Sequence, residues 1–535
     1  MADNWQQGPF RIPTFKDFVP HDVRFWALII FACCFQLSGG VYLAGLNQII
    51  GGKALTQEDV MMAAYASFIG LTVTFPLLFR VKFRFKSRNI IMTAAAVIAV
   101  ANLVIMTSNN LFIIVATSFV VGMCRLLGTF ECLSTLQGKL APNHDQTIFF
   151  CVLFCIILSA IQLSGLATIY IDFHYNWEYM HLFISALMLT VVLAAFAMMK
   201  SIRLTDKFPL SGIDWMGLVL WSVFLLSASY TLLYGKQLDW FDSSYIRAGV
   251  VTAATSLLLA IRQMLTAEQP YFNPDIFAYK KMRTGLLLTM CMILLLATPT
   301  AVEGALTSGI LHYHNISTIS LNSVVLVGGI TGSLIAYYTL VIRRMYYKWI
   351  IFAGFGCLVA YQVILYFLID PRTALEMLYI PCFLRGCGYT MLYVTLTLYS
   401  IKDIPFKYFL QPVGLLGFVR TGVGTVAAAV LVTNLMNWLT KENVMNLSME
   451  IDAVNNLAMH MPTGAIYGEV ARQALMVSLK QIMGWFTIGG LILLLFIPGL
   501  KYIRPVMRSM PSMKSYRKIV QRIYKVKKID TADNI

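Results

Sequence analysis

Five charged side chains fall inside long apolar stretches of this sequence: Arg125, Glu131, Glu303, Arg385 and Arg420. A charge within a bilayer-spanning helix costs roughly 2.5–3.5 kcal/mol on insertion scales, so residues of this kind face water-filled cavities, one another or a bound molecule. The two residue types do different chemistry. A carboxylate takes up and releases a proton, which makes Glu303 and Glu131 the candidates for coupling a proton to another event. A guanidinium stays charged and grips carboxylates or freed carbonyls with a planar fork of donors, so Arg125, Arg385 and Arg420 are candidates either for the wall of a polar path or for ties between helices. Glu303 stands four residues after Pro299, whose ring removes a backbone hydrogen bond and kinks a helix. It is the favoured proton carrier. Glu131 lies nearer the cytoplasmic end of its stretch, where contact with lipid headgroups would equally explain a carboxylate. His312 and His314 fall in a short connection and read as solvated loop residues.

The stretches that carry these groups belong to a set of about fourteen apolar runs. Each is about 20 residues long, enough to cross the ~30 Å hydrocarbon core as a helix. Helix is the required conformation, because lipid offers backbone N–H and C=O groups no partner. Phe25 to Asn47 is the first run, Leu111 to Leu133 the fourth, Thr284 to Leu306 the ninth and Val413 to Met436 the thirteenth. Composition agrees: 58% of residues are hydrophobic, 12% are charged and the mean hydropathy is +0.72. A soluble domain has roughly 45–50% and ~25%. A soluble enzyme is excluded.

The net charge of +16 acquires its meaning from its distribution. About thirty Lys and Arg residues lie in the connections and tails on one side of the runs and fewer than ten on the other, which is the positive-inside asymmetry and places both termini in the cytoplasm. Arg80, Lys82, Arg84, Lys86 and Arg88 form the densest short loop, and the tail after Leu500 adds Arg517, Lys518, Arg522, Lys525, Lys527 and Lys528. Anionic lipid headgroups, not nucleic acid, are the expected partner of that tail. The first run is too long for the core of a cleavable signal and is expected to stay as an anchor. All ten cysteines lie inside the runs, without paired C-x-x-C spacing or His neighbours, and read as small apolar fillers. Most connections are short; Asn437 to Ile482 is expected to be a long outer loop whose end, Gly468 to Ile482, is helical. No phosphate-binding G-x-x-x-x-G-K-[ST] loop, H-E-x-x-H or nucleophile elbow is present, so no cofactor is called for and any work must draw on an ion gradient or on the substrate itself.

Around the seventh run two segments occur in register: Asp214-Trp215-Met216-Gly217 at its start, and Gly235-Lys236-Gln237-Leu238-Asp239-Trp240-Phe241-Asp242-Ser243 after its end. Further on come Phe272-Asn273-Pro274-Asp275, Arg385-Gly386-Cys387-Gly388, Asp403-Ile404-Pro405, Phe418-Val419-Arg420 within Gly414 to Gly424, and Arg472-Gln473-Ala474. In content and order these resemble the fourteen-helix drug:proton antiporters of the major facilitator superfamily, the EmrB/QacA type, over most of the chain. Arg125-Leu126-Leu127-Gly128 resembles that family's helix-four R-x-x-Q-G, with the Gly one place early.

The resemblance implies an all-α polytopic membrane protein with the major facilitator fold. It places a cytoplasmic segment at 1–24, six helices in 25–200, two inserted helices with linkers in 201–283, six more helices in 284–500 and a basic cytoplasmic tail at 501–535. It also implies a secondary active transporter of the inner membrane that exports hydrophobic or amphipathic compounds by alternating access, driven by proton entry, with a periplasmic adaptor and an outer-membrane channel as partners if the source has two membranes. Departures temper this. The family's helix-one Asp is replaced in Leu37-Ser38-Gly39-Gly40, leaving Ser38 at a path position where nothing titrates. The loop after helix two keeps its cations without the family's Gly and Asp, and helix five retains only Leu163-Ser164-Gly165 of its glycine pairs. A carrier or exporter of one specific metabolite or siderophore, and a non-transporting sensor or scaffold on the same fold, therefore stay open.

Overall fold

The computed structural model describes residues 15–39, 41–140, 145–201, 213–405, 410–449, 451, 462–501 and 503. The basic tail beyond Ile503, the first fourteen residues, Gly40, and most of the linker before Ile213 lie outside these. Among the described residues, eleven helices are long and apolar enough to cross a membrane, and the chain is a multi-pass membrane protein.

Helix α1 is His21–Leu37, followed by α2 (Gln57–Leu77), α3 (Ser87–Thr107), α4 (Leu111–Leu140), α5 (Gln146–His174) and α6 (Trp177–Met198). The inserted pair is α7 (Trp215–Tyr234) and α8 (Ser244–Thr266). The second half comprises α9 (Lys280–Ile310), α10 (Thr318–Ile342), α11 (Tyr347–Leu368), α12 (Tyr379–Ile401), α13 (410–449) and α14 (Thr463–Phe496).

Three departures from the expected spans have local causes. The first run is not one helix. Its chain stops at Ser38, whose hydroxyl donates back to the Phe35 carbonyl at 2.7 Å, and resumes as the short helices Val41–Ala44 and Leu46–Lys53. The expected outer loop is largely helical, because α13 continues to Met449 and α14 starts at Thr463. Asn443 ties the two extensions together by donating to Ser478 at 2.9 Å and Gln481 at 3.1 Å; residues 452–461 lie outside the described set. Finally, α9 and α13 contain π turns, at Pro299–Glu303 and Ala305–Ile310 in the former and Phe418–Gly424 in the latter. Such turns concentrate at functional sites.

The halves are built alike. In the first, α2 and α4 approach so closely that a Cβ on Gly70 would lie 2.0 Å from the Phe119 carbonyl oxygen, and one on Gly122 1.9 Å from that of Ser67. In the second, α10 and α12 repeat the arrangement: Gly328 meets the Phe383 carbonyl and Gly386 that of Val325, at 2.4 and 2.3 Å. Small residues that admit backbone contact are the usual means of joining helices in lipid, where the hydrophobic effect does not. Between the halves, α5 packs on α10, with the Ser333 hydroxyl donating to the Cys151 carbonyl at 3.1 Å, and α2 packs on α13, where Phe75 lies against Gly417.

The inserted pair packs on itself and on α2. Asp214 organises its base, accepting from the Gly217 N–H at 2.8 Å, the Gln263 amide at 3.0 Å and the Tyr271 N–H at 3.2 Å. A side chain on Gly217 would strike the Asp214 carboxylate. The Asp-Trp-x-Gly segment is thus a clamp joining α7, α8 and the entry to α9.

Candidate functional site

A cavity of about 420 Å3 lies where α9, α10, α12 and α13 of the second half meet α5 of the first. Met292, Ile293, Leu296 and Val325 make much of its wall apolar; Gln162 and Asn322 add amides, and Glu303, Arg385 and Arg420 add charge. Three of the five charges singled out from the sequence therefore meet at one place.

Glu303 is positioned by the π turn that follows Pro299, which carries it off the regular helical register. Its Oε2 pairs with Arg385 Nη1 at 2.6 Å, and its Oε1 accepts from the Tyr361 hydroxyl at 2.7 Å, with the Cys382 thiol 3.9 Å away. The side chains are 16% and 12% exposed, so the pair is shielded without being sealed off. The one carboxylate thus ties α9, α11 and α12 together.

Arg420 sits in the π turn of α13. Its guanidinium lies 3.2 Å from the centroid of the Tyr393 ring and 5.7 Å from that of Phe154, with Nη1 3.5 Å from the Thr397 hydroxyl. Phe154 belongs to α5 and Tyr393 to α12, their rings meeting edge to face at 4.7 Å, so the arginine is held across the junction of the halves. A cation on aromatic faces keeps its charge while remaining attractively placed.

Glu131 and Arg125 lie elsewhere. Glu131 is 1% exposed, not in contact with headgroups as its position suggested; it pairs with the equally buried Lys82 at 3.2 Å and accepts from the Ser87 hydroxyl. Lys82 also donates to Ser134 at 2.6 Å. The physical reason is that helix carries on from α2 through Leu78–Arg84 and packs against α4, so Lys82 is turned inward from what reads as a basic surface loop. Arg125 is 2% exposed, with its guanidinium against Gly39 at the break of α1 and 5.9 Å from the Phe68 ring. Among the described residues, nothing accepts from its Nε or Nη1. Ser38 is turned onto its own helix and does not face Arg125; the contact is made by Gly39 beside it.

Sequence reasoning missed Tyr361, Tyr393, Gln162 and Lys82. Amides and hydroxyls spaced along an apolar run were a usable signal; the inward course of Lys82 was not. The fifth helix, α5, continues to His174 and carries the buried acid Asp172, 6% exposed, which apolar content alone does not mark.

No family model matches this sequence, and no curated protein does. Solved structures match over nearly the whole chain. A POT family transporter in complex with a thioalcohol-conjugated peptide superposes with a TM-score of 0.58 at 12% identity, covering 92% of this chain and 99% of that one. The nucleoside transporter NupG, as a point variant, gives 0.55 at 9% identity over 89% and 99%. A peptide transporter POT in complex with sulfate gives 0.55 at 11% over 93% and 98%. At such identities the likeness establishes the fold alone: the described residues form helices, in two like groups with an inserted pair between them.

Proposed function

We propose that the chain is a proton-coupled secondary transporter that moves amphipathic molecules across the cell membrane by alternating access to the cavity between its halves. The observation that carries this reading is the placement of a shielded carboxylate–guanidinium pair, Glu303 with Arg385, on the wall of a cavity at the junction of the halves. A cavity of this size suits a drug-sized ligand, and rocking of like halves about a central site is how such folds expose it to each side in turn. Glu303 is the proton carrier; Arg385, Arg420 and Arg125 belong to the path. The buried Lys82–Glu131 pair leaves Glu131 the weaker candidate for coupling.

The finer reading, export of hydrophobic or amphipathic compounds by an antiporter of the EmrB/QacA type, rests on the order of the motifs. In a cell with two membranes it calls for a periplasmic adaptor. The charged wall favours a second reading: three charged side chains select cargo more narrowly than an apolar cavity would, as in a carrier of one class of metabolite. The test is flux in proteoliposomes of the purified chain under an imposed pH gradient. Gradient-driven flux that survives undiminished in Glu303→Gln would overturn the proton assignment, and absence of any driven flux would favour a sensor or scaffold. A panel of toxic compounds on a deletion strain separates broad export from a single class.

A further inference from the structure

Ser333 of α10 donates to the Cys151 carbonyl of α5 at 3.1 Å, which fixes where these two helices, one from each half, touch. From that contact Gln162 lies eleven residues further along α5, and Asn322 eleven residues back along α10. Eleven residues are about three helical turns, or about 16 Å of rise, so in an antiparallel pair both side chains come to one level and to facing sides. The packing follows that register: Leu158 and Ser159 of α5 meet Val325 and Leu326 of α10 around a crevice of about 10 Å3, room for one water. Gln162 lines both this crevice and the main cavity, and Asn322 lines the main cavity. Among the described residues on the cavity wall, Gln162 is the one that the first half supplies. Both amides are half-buried, and neither is hydrogen-bonded to a described residue.

We infer that the cargo carries a neutral amide-like group, a carboxamide, lactam or urea, and that this group is held between Gln162 and Asn322. This rests on the transporter reading and adds the chemical class of the cargo to it. Each side-chain amide presents two N–H donors and a carbonyl acceptor. A cargo amide gives its N–H to one of the two carbonyls and takes an N–H from the other residue, whereas a ketone or a carboxylate leaves both carbonyls unmatched. A site built to hydrogen-bond one group rejects the analogue that lacks it, because its own polar atoms are then left unpaired. The apolar body of the cargo lies along Met292, Ile293, Leu296 and Val325. Bound in this way it joins α5 to α10, so the seat is complete only while the halves are close, and recognition is tied to their rocking.

The test is calorimetric binding to the full-length chain in nanodiscs, using three probes of one shape: 1-naphthaleneacetamide, the ketone in which a methyl replaces its amino group, and 1-naphthaleneacetate. The amide should bind about tenfold more tightly than either of the others. Gln162→Met and Asn322→Leu should each abolish that preference, and Gln162→Asn should keep part of it. The double variant should lose nothing further, since the bridge is already broken; losses that add would mean two separate contacts and would overturn the bridge. An amide that binds no more tightly than the other two probes, or a preference unchanged in both single variants, overturns the inference. Variants that slow flux of all three probes alike while keeping the amide preference would make the two residues a latch between the halves, and overturn it as well. Gradient-driven flux of ethidium without any amide preference overturns it while leaving the transporter reading intact; amide preference without gradient-driven flux of any compound does the reverse.

Discussion

Arg125 lies so close to Gly39 that a Cβ at that position would sit 1.6 Å from the guanidinium Nη1. The break between α1 and its continuation and the deepest arginine of the first half are therefore one device: the backbone of α1 gives way where the side chain from α4 needs room.

Substitutions at the two positions probe it from either side. Arg125→Ala should abolish transport while the protein reaches the membrane in normal amount, and Arg125→Lys should be impaired as well, since an ammonium lacks the planar fork. Gly39→Ala should lower transport about tenfold by displacing the guanidinium, an effect of about 1.4 kcal/mol on the transport barrier. Normal flux in Arg125→Ala would reduce the residue to a structural tie.

The Glu303–Arg385 pair should behave as a unit. Glu303→Gln is expected to stop gradient-driven flux while counterflow of substrate, which needs no net proton movement, continues. Tyr361→Phe removes one of the hydrogen bonds to the carboxylate and should shift the pH profile of flux without eliminating it, at a cost of about 1–3 kcal/mol in stability. Radiolabelled exchange in vesicles, with and without an imposed gradient, reads both.

Lys82 and Glu131 make a stability prediction independent of transport. Removing one member of a fully buried pair leaves an uncompensated charge, so Glu131→Gln or Lys82→Met should each cost about 3–5 kcal/mol. The double change Lys82→Met with Glu131→Leu should recover most of that loss. Thermal unfolding of the detergent-purified variants distinguishes this from a coupling role: a double variant as unstable as either single one would contradict the pairing account.

Topology can be checked on two exposed positions. A cysteine at Asn446 should react with an impermeant thiol reagent in intact cells, and one at Arg344, in the connection after α10, only after permeabilisation. Reversed labelling would invert the sidedness argued from the cations.

The spans were legible in the sequence because lipid allows one solution to backbone hydrogen bonding, and charges stood out against an apolar background. What apolar content cannot mark is where a helix ends. Asn437 to Ile482 is polar enough to read as loop, yet Glu469 holding Arg472 at 2.8 Å and Asn443 holding Ser478 at 2.9 Å sustain helix outside the apolar zone. Of the site, Glu303, Arg385 and Arg420 were visible one by one; that they share a cavity depends on how α9, α12 and α13 pack together, and the π turns that aim Glu303 and Arg420 have no composition of their own. The Asp214 segment stood out as a pattern, while its role as a clamp appears only when Gly217, Gln263 and Tyr271 are seen to converge on one carboxylate.

The glycine contacts of α2 with α4 and α10 with α12 bear on how this chain can change over generations. With a carbonyl oxygen within 2.4 Å of each absent Cβ, Gly70, Gly122, Gly328 and Gly386 admit nothing larger than hydrogen. Variants selected for altered cargo should therefore leave those four positions untouched and accumulate along the cavity faces of α9, α13 and α5, whose side chains line the cavity.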